Sequence, residues 1–203
     1  MNNQDVKIKK AFELFNNKKF EDSKLIFLDL IKNQQFDKKI YYMLYEIYLQ
    51  LNDNKNAKNY LINYLKFDNK NYVALNQLAN LHLKEGAIKL AEENYIKAIN
   101  LKSDYLIAIT NLAVLYQGIG DKDNAKKYYL AGINLSPYDL SIYYNLSRIS
   151  PNLINDKKIE FITKVLKKKN IEPFNKSAGF FLLAEDNKKK ENIEDEIKNL
   201  ELA

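Results

Sequence analysis

The sequence predicts an all-α solenoid of antiparallel helix pairs, and three observations lead there. Laid over an earlier part of the chain, TNLAVLYQGIGD (Thr110–Asp121) falls on NQLANLHLKEGA, so that Leu112 meets Leu78, Ala113 meets Ala79 and Gly120 meets Gly86. Ile109, just before the stretch, shares one helical stripe with Leu112, Ala113 and Tyr116. Gly120 supplies a left-handed helix stop and Asp121 a side-chain cap for the next helix. A fixed period of this size marks units that bury their apolar faces only by stacking on neighbours.

The repeats follow in order. Residues 4–37 form a divergent first repeat with Ala11, Leu14, Ser23 and Phe27 in register, but with Lys7 and Lys10 where apolar residues would pack. That is expected of an end repeat with no neighbour to bury against. Residues 38–71 carry Leu44, Tyr48, Ala57 and Leu61; Tyr45 replaces the small residue, which predicts a wider helix crossing. Residues 72–105 carry Leu78, Ala79, Gly86, Ala91 and Tyr95, and residues 106–139 the opening stretch with Ala125, Tyr129 and Pro137. Residues 140–172 are degenerate: Tyr143, Leu146 and Ser147 hold register, Ser150-Pro151 falls near the end of the first helix, and a second helix over about 156–168 has Ile159, Ile162, Val165 and Leu166 on one stripe. Residues 173–203 form an incomplete C-terminal helix pair, with Leu183-Ala184 as its large–small step and Ile193, Ile197, Leu200 and Ala203 beginning a partner helix. Ala203 falls inside that helix with no polar capping helix after it, so a fragment of a longer protein is expected.

Composition narrows the function. With 46% apolar and 29% charged residues the 203-residue chain is globular. It has no cysteine, which removes disulfides and thiolate metal sites. The formal charge of +6 comes almost wholly from lysine, Arg148 being the sole arginine. Readers of phosphates and bases favour the arginine fork, and an A+T-rich genome explains a lysine-rich chain, so no nucleic-acid partner is expected. The opening MNNQDVKIKK lacks the apolar core of a secretory signal, and the most apolar run, Tyr105–Tyr116, is too short to span a bilayer. No membrane partner and a cytoplasmic location are expected.

Two helices per repeat, with Ile109, Leu112-Ala113, Tyr116, Ala125, Tyr129 and Pro137 at their spacing, resemble the tetratricopeptide repeat. The resemblance implies a right-handed superhelix of about five repeats plus the C-terminal pair, and a protein-interaction scaffold that binds an extended peptide or partner helix in its concave groove. A second resemblance lies toward the C-terminus. Tyr143, Leu146-Ser147, the helix from Asp156, and Phe181 to Ala184 are similar to the region linking repeats to the catalytic domain in bacterial tetratricopeptide–sulfotransferase fusions. It implies the alternative of an enzyme whose catalytic domain is joined beyond Ala203.

No catalytic residues, cofactor or metal are expected within the chain itself. His82, the only histidine, stands where neighbouring repeats have Tyr48 and Tyr116, and one imidazole without paired ligands does not make a metal site. Glu92-Glu93 and Glu194-Asp195-Glu196 read as solvated faces, and the runs Lys167–Asn170 and Lys188–Lys190 as a helix end and a loop. Neither a G-x-x-x-x-G-K loop nor G-x-S-x-G occurs.

The stripe opposite the pairing face is the better candidate. It holds Ile107, Asn111, Val114 and Gly118, and at the equivalent places of the other repeats Lys39, Met43, Glu46 and Gln50, then Val73, Gln77, Asn80 and Lys84, then Ser141, Asn145 and Arg148. The candidate peptide-binding residues are Met43, Glu46, Asn76, Gln77, Asn80, Asn111, Val114, Asn145 and Arg148. Gln77, Asn111 and Asn145 form an amide ladder that both donates to and accepts from a peptide backbone. It resembles the asparagine ladder in the repeats of O-linked N-acetylglucosamine transferases. The tetratricopeptide carboxylate clamp is matched only at Asn80 and Asn111, because its three cationic places fall on Asn76, Ser141 and Asn145.

Overall fold

The computed structural model describes residues 3–33, 37–168 and 170–203. Residues 1 and 2 of the opening segment, residues 34–36 of the first repeat and Lys169 of the 167–170 run lie outside them. Twelve α-helices, with no strand among the described residues, form two compact units, 1–101 and 102–203.

The first unit contains α1 (Asn3–Asn16), α2 (Phe20–Lys32), α3 (Lys38–Gln50), α4 (Asn54–Phe67), α5 (Tyr72–Lys84) and α6 (Ile88–Leu101). Successive helices pair as α1–α2, α3–α4 and α5–α6. The small residues of the pairing stripe, Ala11, Ala57, Ala79 and Ala91, are wholly buried. Ser23 occupies the small position of α2, and its hydroxyl donates to the Ala11 carbonyl at 2.8 Å, which satisfies a buried polar group. Neighbouring pairs join through Phe27, Leu30, Ile40, Leu44 and Ile47, all buried. One repeat earlier than Ile40, Leu44 and Ile47 stand Val6, Lys10 and Glu13 on α1, all exposed. The charged outer face expected of the first repeat is therefore present, with Lys7 bridging Asp29 at 2.7 Å.

Tyr45 corrects one expectation. It is 2% exposed yet α3 and α4 pack as closely as the other pairs, because the ring lies among Ala57, Leu61, Ala74 and Leu78, where small neighbours make room.

The second unit contains α7 (Leu106–Gly118), α8 (Lys122–Leu135), α9 (Leu140–Ile149), α10 (Asp156–Leu166), α11 (Pro173–Lys189) and α12 (Ile193–Leu202). Helices α7 and α8 pair around buried Ala113 and Ala125, and Tyr116 stacks on Tyr128 at 5.7 Å. After α9 a 3-10 turn, Pro151–Leu153, replaces the usual helix stop. Tyr143 and Phe161 meet across α9 and α10 with ring centroids 6.1 Å apart, and α11 packs on both helices. A Cβ at Gly179 would stand 2.6 Å from Leu140 and 2.8 Å from Leu166, so only glycine permits that approach without displacement. Asn175 adds a polar tie: its side-chain oxygen accepts from the Leu140 and Ser141 amides while its nitrogen donates to the Tyr138 carbonyl. In the C-terminal pair Leu182 and Ala184 are buried and Leu183 is half-buried. Helix α11 is longer than α7, 17 residues against 13.

Helix stops recur with the period. Residues 18, 52, 86 and 120 all take the left-handed conformation, with φ of 59° at Lys18, 59° at Asn52, 75° at Gly86 and 82° at Gly120. Each is followed by a helix start, and at Asp53 and Asp121 the carboxylate accepts from the amide three residues on. Glycine takes this backbone without penalty, whereas the Cβ of lysine crowds the following carbonyl. Lys18→Gly is expected to stabilise the chain by about 0.5–1 kcal/mol, read as a rise in thermal midpoint, and an unchanged or lower midpoint refutes that account.

A second periodic feature is interrupted at His82. Tyr48 stacks on Tyr60 at 5.3 Å, as Tyr116 does on Tyr128, and the corresponding pair in α5 and α6 is His82 and Asn94. Both are buried, and among the described residues His82 Nδ1 has no hydrogen-bond partner. Burial and then nearby Lys58 hold the imidazole below its ordinary pKa, with Glu85 opposing. The folded state thus disfavours the charged form, so this contribution to stability is complete above the unfolded pKa of about 6.5 and is lost as pH falls. The double variant His82→Tyr/Asn94→Tyr should restore the stack and flatten the melting midpoint between about pH 5 and 7 relative to the parent. An equally steep loss in the variant would place the acid sensitivity elsewhere.

Candidate functional site

The stripe opposite the pairing face is open on both units, and the sequence-derived residues fall into separate pockets along it. In the first unit, Met43 lines a mainly apolar pocket of about 300 Å³ with Phe12, Lys38, Lys39, Tyr42 and Tyr64. Gln77 and Asn80 line a larger one of about 420 Å³ with Tyr45, Leu49, Leu81 and Lys84. In the second unit, Asn111, Val114 and Asn145 share a pocket of about 250 Å³ with Ile107, Thr110, Tyr129, Asp139 and Ser141. Asn111 and Asn145 are thereby brought together, flanked by Ile107 and Val114, which are 54% and 48% exposed.

Three residues stand apart from these pockets. Glu46 is half-buried on α3; burial raises its carboxyl pKa and the nearby Tyr42 hydroxyl opposes the rise. Arg148 is exposed, and its charge reaches the Tyr129 phenol. Asn76 is 3% exposed, so that amide sits within the packing of α5 rather than on the open stripe. A residue adjacent to the stripe in sequence turns by about 100° on a helix, which is enough to bury it.

Buried tyrosines orient the amides. Burial pushes the Tyr95 and Tyr129 phenols up to about 12, so both hydroxyls keep their protons and act as donors. Tyr95 donates to the Asn80 side-chain oxygen at 2.5 Å, and Tyr129 donates to that of Gln117 at 2.5 Å. Tyr42 donates to the Gln77 oxygen at 3.3 Å, joining α3 to α5. An amide whose oxygen is held this way turns its NH2 group the other way. The repeat pattern marks Tyr95 and Tyr129 as packing residues and gives no sign of Tyr42 or Phe12. The two tyrosines recur one repeat apart, but their amide partners Asn80 and Gln117 occupy different repeat positions, so the pattern does not announce the bonds.

Other candidate chemistry resolves into structure. Tyr143, Leu146, Ser147 and Ala184, which carry the second resemblance, are core residues of their unit. Among the described residues no group of three or more His, Asp or Glu is placed to hold a metal ion. Among the same residues, no helix is long and apolar enough to cross a membrane.

The tetratricopeptide repeat family model matches residues 72–105 and 107–139. No curated protein matches the sequence significantly. Among solved structures, pilF of Pseudomonas aeruginosa superposes with a TM-score of 0.70 at 12% identity, over 97% of this chain and 88% of that one. MamA of Desulfovibrio magneticus gives 0.69 at 15% identity, over 82% and 95%. The C-terminal part of a tetratricopeptide repeat-containing protein of Cytophaga hutchinsonii gives 0.71 at 18% identity, over 95% and 78%. These likenesses show a shared fold, one that supports protein-interaction scaffolds in general. Residues 72–105 and 107–139 are therefore tetratricopeptide repeats, within an all-α chain whose fold is that of the tetratricopeptide solenoids it superposes on.

Proposed function

We propose that this chain is an interaction scaffold that holds an extended peptide segment against its open stripe, with Asn111 and Asn145 as the central grip. The observation that carries the reading is the shared pocket of these two amides between exposed Ile107 and Val114. Such a pocket offers a peptide both backbone hydrogen bonding and apolar contact. Amides bind main chain without regard to side-chain identity, while Ile107 and Val114 favour apolar side chains beside it. In a pocket of its own, the first unit carries the same chemistry in the fixed amides of Gln77 and Asn80. Arg148 adds a cation near the second-unit pocket, which favours segments carrying a carboxylate.

The test uses a displayed random-peptide library captured on the full chain. Asn111→Ala/Asn145→Ala should lower capture about tenfold, the loss of roughly two hydrogen bonds of ~0.5–1.5 kcal/mol each, with the melting midpoint unchanged. Undiminished capture sinks the grip, and a lowered midpoint recasts the two residues as structural.

A further inference from the structure

We propose that the chain binds a second copy of itself, helix α12 of one molecule docking on the pocket of Phe12, Tyr42, Met43 and Tyr64 in the other. Helix α12 is the most anomalous surface of its unit. None of its residues is buried, and Ile193, Ile197 and Leu200, spaced by four and three residues on one stripe, are 67%, 52% and 47% exposed. Around that stripe stand Glu194, Asp195, Glu196 and Glu201 against the single cation Lys198. A short amphipathic helix of this kind is what an apolar groove with a basic rim receives.

The first unit has such a groove. Its pocket of about 300 Å³ is mainly apolar, formed from α1, α3 and α4, with Lys38 and Lys39 among its lining residues. Lys38 also bridges Asp68 at 3.2 Å, an exposed pair that an incoming carboxylate can join. Lys9, exposed on α1, stands one repeat before Met43 on the same stripe.

Charge selects this pairing over the alternatives. Two α12 helices face to face would oppose like charges, which disfavours a tail-to-tail dimer. The outer face of α1 offers Val6, Lys10 and Glu13, which is too polar to cover an isoleucine–leucine stripe. The contact is heterologous, so two molecules close it reciprocally or successive molecules extend it. The inference rests on reading the open stripe as a docking surface. It uses α1, α3 and α4 rather than Asn111 and Asn145, so the two readings fail separately.

The experiment is light scattering of the full chain across a concentration series. The expected result is a mass above the 23.8 kDa monomer that rises with concentration and falls at high salt. Ile197→Lys/Leu200→Lys and, separately, Lys38→Glu/Lys39→Glu should each remain monomeric with unchanged helicity. A charge exchange guards against trivial damage. Glu194→Lys/Asp195→Lys mixed with Lys38→Glu/Lys39→Glu should associate although neither does alone. A monomer at every concentration overturns the proposal. So does association that survives either the α12 or the pocket variant, or a mixture that stays monomeric.

Discussion

Close approach of two helix backbones at a small residue is the constraint on which the rest of this structure depends. At the crossing of α1 and α2 the Ser23 hydroxyl reaches the Ala11 main-chain carbonyl, which needs the two backbones almost in contact. Ala79 with Ala91, and Ala113 with Ala125, are wholly buried at the same place in their pairs. Helices that pack this closely leave no room for error in rotation, so the stripe of large residues beside each crossing is fixed as well. Once Leu112, Ala113 and Tyr116 are committed to pairing, the helix has one long stripe left, and Asn111 and Val114 stand on it. The open surface is thus a consequence of the packing.

The packing also conditions what that surface can do. Tyrosines at the second-helix position fill space, but each carries a hydroxyl that burial keeps protonated. That hydroxyl needs an acceptor, and it finds one on the side-chain amide of the facing helix. The same residue therefore closes the core and fixes an amide at its edge. Where the aromatic pattern lapses, at His82 and Asn94, the lost stack leaves a buried ring nitrogen unpaired, a cost that falls on stability.

The period makes the fold legible in the sequence, because every fully formed pair repeats one packing solution. Helix stops are legible only where glycine marks them: Gly86 and Gly120 announce the left-handed backbone, while Lys18 and Asn52 adopt it under compulsion of the same geometry. Burial of Asn76 is hidden because Gln77 beside it lies on the open stripe, and a one-residue step decides between inside and outside. The width expected of the Tyr45 crossing is not seen, and the ring shares its buried cluster with two small residues, Ala57 in its own pair and Ala74 on α5. In the C-terminal pair burial singles out Leu182 and Ala184, while the repeat pattern carried forward from the earlier units marks Leu183 and Ala184.

The helices α1 and α12 differ in a way the repeat does not require. On α1 the positions that bury Ile40, Leu44 and Ile47 in the next pair hold Val6, Lys10 and Glu13, a face that water solvates readily. On α12 the exposed face keeps its isoleucines and leucine and concentrates carboxylates around them. Apolar side chains left at about half exposure forgo a large part of the roughly 1.5–3 kcal/mol that burial of each would give, so a cover for that face has energy available to it. Carboxylates around the stripe narrow the choice of cover to a surface that is apolar at its centre and cationic at its edge. Of the faces on this chain, the solvated side of α1 lacks the centre, and a second α12 lacks the cations. The pocket of Phe12, Tyr42, Met43 and Tyr64, with Lys38 and Lys39, has both.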